Sequence, residues 1–230
     1  MREGPATWNW EYAWEITPDL IGGMLVTIRA TLLGIVIAVI LGLFLALGRR
    51  SQNKWISYPF AWFIEFVRST PLLVQLFFLY YALPQIEAIP RSLSTFPAMT
   101  TLVVALGVHY GCYCSEAYRA GINSVPKGQW EASTALNLKT TTMWRQVILP
   151  QAIPRSLPPL GNYFVAMFKD APQGSAITVA GVLFVARAFQ SADFRPVEPV
   201  IIAGILFLMV SIPAAMSVRR LERRVAYESD

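Results

Sequence analysis

From Leu20 to Leu47 the chain carries a single charged residue, Arg29, in an otherwise apolar stretch. About 20 consecutive apolar residues suffice to cross a bilayer as a helix, so the run reads as a membrane span. Similar stretches recur at about 56–83, 98–118, 157–187 and 197–218. The expected fold class is therefore all-α: a polytopic helical membrane protein of about five spans, forming one domain over 1–230. Composition agrees, because only 14% of residues are charged and 55% are hydrophobic. Soluble domains average about 25% charged. Five spans with short loops leave no room for a separate soluble domain.

The net charge of +5 does not require a nucleic acid. Arg49, Arg50 and Lys54 follow the first span, and Arg119, Lys127, Lys139, Arg145 and Arg155 follow the third. Arg219, Arg220, Arg223 and Arg224 follow the fifth. Basic clusters after alternate spans are the positive-inside pattern. They predict an N-terminus outside and a C-terminus in the cytoplasm. Residues 1–19 are acidic and hold Trp8, Trp10 and Trp14 beside Glu3, Glu11, Glu15 and Asp19. Such rings favour the membrane interface. No basic segment followed by a short apolar stretch marks a signal peptide. An outer loop with Pro84, Pro90 and Pro97 includes Ser94, a site where an impermeant reagent should reach an introduced cysteine.

Cys112 and Cys114 lie two apart in an apolar segment and point to different helix faces. They read as packing residues rather than as a disulfide. His109 is the sole histidine. With Cys112 it has metal-like spacing, but no further ligands sit nearby.

The loop at about 119–155 is the polar segment with most to say. Pro126 suits the first turn of a helix, Ser124 its cap, and Lys127 to Leu136 its body. Asn137 should end that helix in a left-handed conformation. Thr140 to Thr142 can cap a second helix carrying Met143, Trp144, Val147 and Ile148, with Leu149-Pro150 as its stop. Trp130, Ala132 and Leu136 give the first helix an apolar face that nothing in so short a loop covers. Pattern alone allows a hairpin resting on lipid headgroups or a docking knob for another protein.

Glu131-Ala132-Ser133, Asn137 and Val147-Ile148-Leu149-Pro150 resemble the EAA motif of ABC importer permeases. Ser133, Asn137 and Val147 replace that motif's Ala, Gly and Ile, and Asn137 keeps the turn chemistry. Phe66 to Leu76 looks like the Arg-Gly-Thr-Pro-Leu-Leu-Val-Gln run of polar amino acid permeases, and Ser115 to Ile122 is a third match. Within the family, Gln129 to Leu138 is most similar to permeases of ectoine and hydroxyectoine uptake.

The resemblance implies a type I importer fold and a non-catalytic chain. Trp130, Glu131, Ala132, Leu136, Asn137, Leu149 and Pro150 would couple it to an ATP-binding subunit. No G-x-x-x-x-G-K-[ST] occurs in the chain, so no cofactor is expected here; ATP and Mg would sit on that partner. A second permease copy or sister permease and an extracytoplasmic solute-binding protein complete the implied set, in a prokaryotic inner membrane. The expected cargo is a small zwitterion of the ectoine type, and the alternative is a polar amino acid. An ion channel would not need the hairpin, and a membrane enzyme would need a nucleophile–base or metal constellation.

An ionisable group at the bilayer centre costs roughly 2.5–3.5 kcal/mol on insertion scales and usually faces the bundle interior. Glu65 and Arg68 share a helix face and read as a self-satisfied pair or a gate. Arg29 reads as reaching for the outer headgroups. Lys169 and Asp170 fall near the middle of the fourth segment, before Pro172 and Gly174. A broken helix at midplane is one way transporters expose charge and backbone to cargo. Lys169, Asp170, Glu65, Arg68 and Gln75 are thus the candidate pathway residues, with a structural kink as the alternative at Lys169-Asp170.

Overall fold

The computed structural model describes residues 8–227, and of residues 224–227 the backbone only. Glu3, the Arg224 side chain and Ser229, which lies at the C-terminus expected in the cytoplasm, are outside the described residues. All regular structure among the described residues is helical. Its helices are α1 (Trp10–Arg49), α2 (Lys54–Arg68), α3 (Leu72–Phe77), α4 (Arg91–Ser94) and α5 (Ala98–Asn123), followed by α6 (Lys127–Ala135), α7 (Thr140–Thr142), α8 (Leu149–Asp170), α9 (Val182–Asp193) and α10 (Val197–Tyr227). Helices α1, α5 and α10 are long and apolar enough to cross a membrane. Two bent pairs, Lys54–Arg68 with Leu72–Gln85 and Thr140–Ile177 with Val182–Asp193, bring the total to as many as five if each pair forms one span.

The first helix begins earlier than its apolar run suggests. The Tyr12 N–H donates to Asn9 Oδ1 (3.1 Å), so Asn9 caps the helix and Glu11 lies in its first turn. An N-cap side chain and an early acid both favour a helix start. The helix then runs through Pro18 into the apolar stretch.

The second span is not continuous. Ser69 closes α2, and Pro71 opens α3 with extended backbone (φ −62°, ψ 137°). Proline disfavours helical geometry in the residue before it, which accounts for the interruption at Thr70. A π-helical stretch, Phe78–Ala82, and a 3₁₀ turn, Leu83–Gln85, complete this segment.

The described chain divides into two compact units. The first comprises Met1–Ile35, Thr70–Leu106 and Ala166–Pro213. Its core repeats down α1 as Ile16, Leu20 and Met24, packed with Phe168, Val182, Ala186 and Ala203. A spacing of four places those α1 residues on one face. Gly23 lies on this surface, where an added Cβ would be 2.9 Å from Val182 Cα and N. The absent side chain is what lets the backbones of α1 and α9 approach.

The second unit comprises Val36–Ser69, Gly107–Val165 and Ala214–Asp230. One of its clusters joins Leu45, Ile64, Val67 and Cys112. Another joins Ile122, Val125, Ile148 and Ala152 under the polar hairpin. Cys112 and Cys114 are both free and buried, consistent with packing roles.

Candidate coupling hairpin and charged clusters

Helix α6 spans Lys127–Ala135, and Asn137 follows it with φ 54°. Its amide donates to Thr134 O (2.9 Å), and Leu138 N–H donates to Ser133 O (3.0 Å). Asn137 thus makes the left-handed turn its chemistry allows. The start differs from expectation. Pro126 occupies the cap position without a side-chain hydrogen bond, and Ser124 Oγ donates back to Gly121 O (2.7 Å).

The stop at Leu149-Pro150 is also corrected. Thr140–Thr142, the π-helical Met143–Ile148 and α8 follow one another without interruption. Pro150 lies at the second position of α8, where the backbone ladder changes from π to α register. The change of register leaves a carbonyl over, so the missing proline N–H breaks little.

The apolar face of α6 is partly covered from within. Trp130 packs edge-to-face on Trp144 (5.4 Å between centroids) and against the Ile122, Val125, Ile148 and Ala152 cluster. Leu136, in contrast, is 73% exposed. Glu131, Ala132 and Pro150 are exposed too, and Leu149 is 37% exposed. The outward surface of the hairpin therefore carries Glu131, Ala132, Leu136 and Asn137, while Trp130 braces it from behind.

Arg50, in the turn after α1, holds the hairpin from another side. Its guanidinium lies 5.8 Å from the Trp130 ring centre and 5.5 Å from that of Trp144, and donates to Asn123 Oδ1 (3.0 Å). Burial pushes the Arg50 pKa below its ordinary value.

Within the same unit, Glu116 collects two arginines. Arg119 donates through Nη2 (2.6 Å) and Nε (2.9 Å), and Arg49 through Nη1. Glu65 lies 3.4 Å from Arg49 and 3.6 Å from Arg68. Arg68 in turn sits 5.2 Å over the Tyr113 ring. The expected Glu65–Arg68 pair is therefore one edge of a five-residue network. The Glu116–Arg119 contact was legible in its spacing of three; Arg49 to Glu116 spans 67 positions and left no local signal.

Gln75, Lys169 and Asp170 belong to the first unit. The Gln75 amide donates to Thr70 Oγ1 (2.8 Å) and Thr70 O (3.2 Å), tying α3 back to the break before it. Lys169 and Asp170 end α8, at the break in the fourth segment that Pro172 and Gly174 suggested. A 3₁₀ stretch, Ala171–Ile177, follows and is closed by Thr178 in the left-handed region (φ 64°). Tyr81 OH donates to Ala176 O (3.1 Å) in this stretch. Lys169 is exposed and Asp170 half-buried.

Tyr12, Asp193, Arg195 and Glu198 form a further cluster that sequence reading missed. Tyr12 OH donates to Asp193 Oδ2 (2.7 Å), and its ring lies 5.5 Å under Arg195. Fully buried Glu198 accepts from Arg195 Nη2 (2.7 Å) and Asn9 N–H (3.0 Å). The hydrogen bond to Glu198 raises the Arg195 pKa above its ordinary value.

A family model described as the binding-protein-dependent transport system inner membrane component matches residues 16–227. A probable amino-acid ABC transporter permease of Sinorhizobium fredii is 41% identical over 208 residues, covering 90% of this chain and 87% of that protein. The L-cystine transport system permease of Bacillus subtilis is 36% identical over 214 residues, 91% of this chain and 89% of the relative. The glutamine transport system permease of Escherichia coli is 34% identical over 218 residues, 94% and 97% respectively. A crystal structure of an amino acid ABC transporter with histidines superposes with a TM-score of 0.87 at 36% identity, over 95% of this chain and 99% of that one. The inward-facing methionine transporter MetNI gives 0.70 at 17% identity, a likeness of fold.

Proposed function

The chain belongs to the family of inner membrane components of binding-protein-dependent transport systems, and we propose that it forms half of the translocation pathway of an ATP-driven importer for a polar amino acid. The observation that carries this reading is its near full-length likeness to an amino acid ABC transporter structure at 36% identity. The L-cystine and glutamine permeases and the probable amino-acid permease among its relatives support the same cargo class, so an amino acid displaces ectoine as the preferred reading. Ectoine remains the rival suggested by the Gln129–Leu138 motif.

In this reading ATP and Mg are held by a separate ATP-binding subunit. A sister permease or a second copy supplies the other half of the path, and a solute-binding protein delivers cargo from outside. The N-terminus faces that side, and the hairpin faces the cytoplasm. Exposed Glu131, Ala132, Leu136 and Asn137 meet the ATP-binding subunit, with Leu149 and Pro150 at the hairpin's return. Trp130 contributes by stiffening the hairpin against Trp144. A lever must be rigid to transmit a displacement, and the packed indoles and Arg50 supply that rigidity.

Lys169, Asp170 and Gln75 are proposed as path-lining groups within the first unit, and Glu65 and Arg68 are proposed separately within the second. A zwitterion losing water needs a partner for each charge. Lys169 and Asp170 meet that need at the end of α8, where it gives way to the 3₁₀ stretch. Asp170→Asn or Lys169→Met should then lower uptake per assembled complex, while assembly is kept.

The test is to purify the tagged chain with its cognate subunits and titrate the cognate solute-binding protein with polar amino acids and ectoine. Copurification of an ATP-binding subunit and binding of an amino acid are expected. Failure to retain an ATP-binding subunit would overturn the importer reading; binding of ectoine alone would overturn the cargo.

A further inference from the structure

Beside the N-terminus of α6 lies an open pocket of about 340 Å³ lined by Arg50, Ile122, Asn123, Val125, Lys127 and Trp130. Two of these residues are cations and none is an acid. Arg50 makes no ion pair among the described residues; its contacts are the Asn123 amide oxygen and the faces of Trp130 and Trp144. By comparison, Arg49, Arg68, Arg119 and Arg195 each have a carboxylate within 4.0 Å. The two indole faces and the Asn123 oxygen offset part of the cost of burying this cation, but none of them carries the full negative charge that an external anion would supply.

The surroundings point to an oxyanion. A guanidinium presents a planar fork of donors that fits phosphate, and an ammonium adds a point charge. The backbone start of α6 has no side-chain cap, because Pro126 offers no acceptor, so its positive end adds to the same field. Ile122 and Val125 form an apolar floor, which suits the glycerol end of a lipid better than a fully hydrated ion.

We propose that this pocket binds a phosphate group, with Arg50 and Lys127 as its ligands and Trp130 as one wall. Arg50 follows directly on the last residue of α1, at the end of a membrane-spanning helix. An anionic phospholipid headgroup of the adjoining leaflet is therefore the expected source, and a soluble phosphate compound is the other. Basic pockets at helix ends on the cytoplasmic side suit such headgroups. Occupancy would link membrane composition to the hairpin, since Trp130 belongs both to the pocket and to the α6 brace. This inference does not depend on which solute is carried.

Native mass spectrometry of the intact complex, exchanged into equal phosphatidylglycerol and phosphatidylcholine, tests it. Calorimetric titration of the delipidated complex with inorganic phosphate forms the second arm. Preferential retention of phosphatidylglycerol is expected, weakened about fivefold by Lys127→Gln and again by Arg50→Gln. Lys127→Arg should restore it. Lys127 is exposed, so its variants report on binding even if Arg50→Gln disturbs the hairpin. Phosphate binding that depends on Lys127, without lipid preference, would support the site with a soluble source. Neither a lipid preference nor phosphate binding, or a preference indifferent to both substitutions, would overturn the proposal.

Discussion

Thr27 Oγ1 on α1 accepts a hydrogen bond from the backbone N–H of Val182, the first residue of α9, at 3.2 Å. The same hydroxyl donates to Gly23 O (3.1 Å). Gly181, the α9 cap residue, offers no side-chain bond, so a residue 155 positions away caps this helix. A buried N–H without an acceptor costs about 1–3 kcal/mol.

Thr27→Val should therefore destabilise the protein by about 1 kcal/mol, as loss of a helix cap does. Thr27→Ser should be near neutral. Gly23→Ala should cost more, because its Cβ would meet Val182 backbone atoms at 2.9 Å. Thermal unfolding of the detergent-solubilised protein, followed by fluorescence-detected size exclusion, separates these. An unchanged melting temperature for Thr27→Val would contradict the capping role.

The hairpin divides its residues between surface and support. Glu131→Lys should abolish uptake and leave ATP hydrolysis uncoupled from cargo, with the permease still inserted. Leu136→Ala should weaken retention of the ATP-binding subunit by about 2 kcal/mol if Leu136 is an interface anchor. Asn137→Gly should be tolerated and Asn137→Val should not, since φ 54° suits glycine and strains a β-branched residue. Copurification yield and coupled ATPase activity report both classes.

In the charged network, burial decides which carboxylate matters. The Glu116 side chain is 15% exposed and that of Glu65 is 55%. Glu116→Gln should destabilise by about 1 kcal/mol, because it leaves partly exposed Arg119 without a carboxylate and Arg49 with Glu65 alone. Glu65→Gln should change stability by less than about 0.5 kcal/mol. Equal effects of the two in a thermal shift series would contradict this ranking.

Topology can be read by cysteine labelling in intact cells, after replacing Cys112 and Cys114. Gln52 is exposed, and a cysteine there should be shielded from an impermeant reagent. Ser94 is fully buried, so the outer reporter moves to exposed Glu87, which should be labelled. Labelling at Gln52 would overturn the N-out orientation.

The apolar runs and basic clusters made the helical membrane architecture legible, because one segment's composition sets whether it can span. The turn at Asn137 was legible for the same local reason. The helix through Pro150 was not, since a π-to-α change of register depends on the backbone of Met143–Ile148 rather than on residue type. Breaks at Thr70 and after Asp170 had local cues in Pro71 and Pro172, but their extent did not. Arg49 reaches Glu116, Trp130 and Trp144 reach Arg50, and Asn9 reaches Glu198 from distant positions. Only the packed chain identifies Trp130 as a brace and shows that Arg50 has no carboxylate partner among the described residues.

As proposed, this chain carries a polar amino acid inward when its hairpin is driven by a separate ATP-binding subunit. Uptake of labelled amino acids and labelled ectoine into proteoliposomes containing all subunits tests it most directly. An amino acid should accumulate only when both ATP and the solute-binding protein are present, and not in Glu131→Lys. Accumulation of ectoine alone, or amino acid uptake that persists in Glu131→Lys, would contradict it.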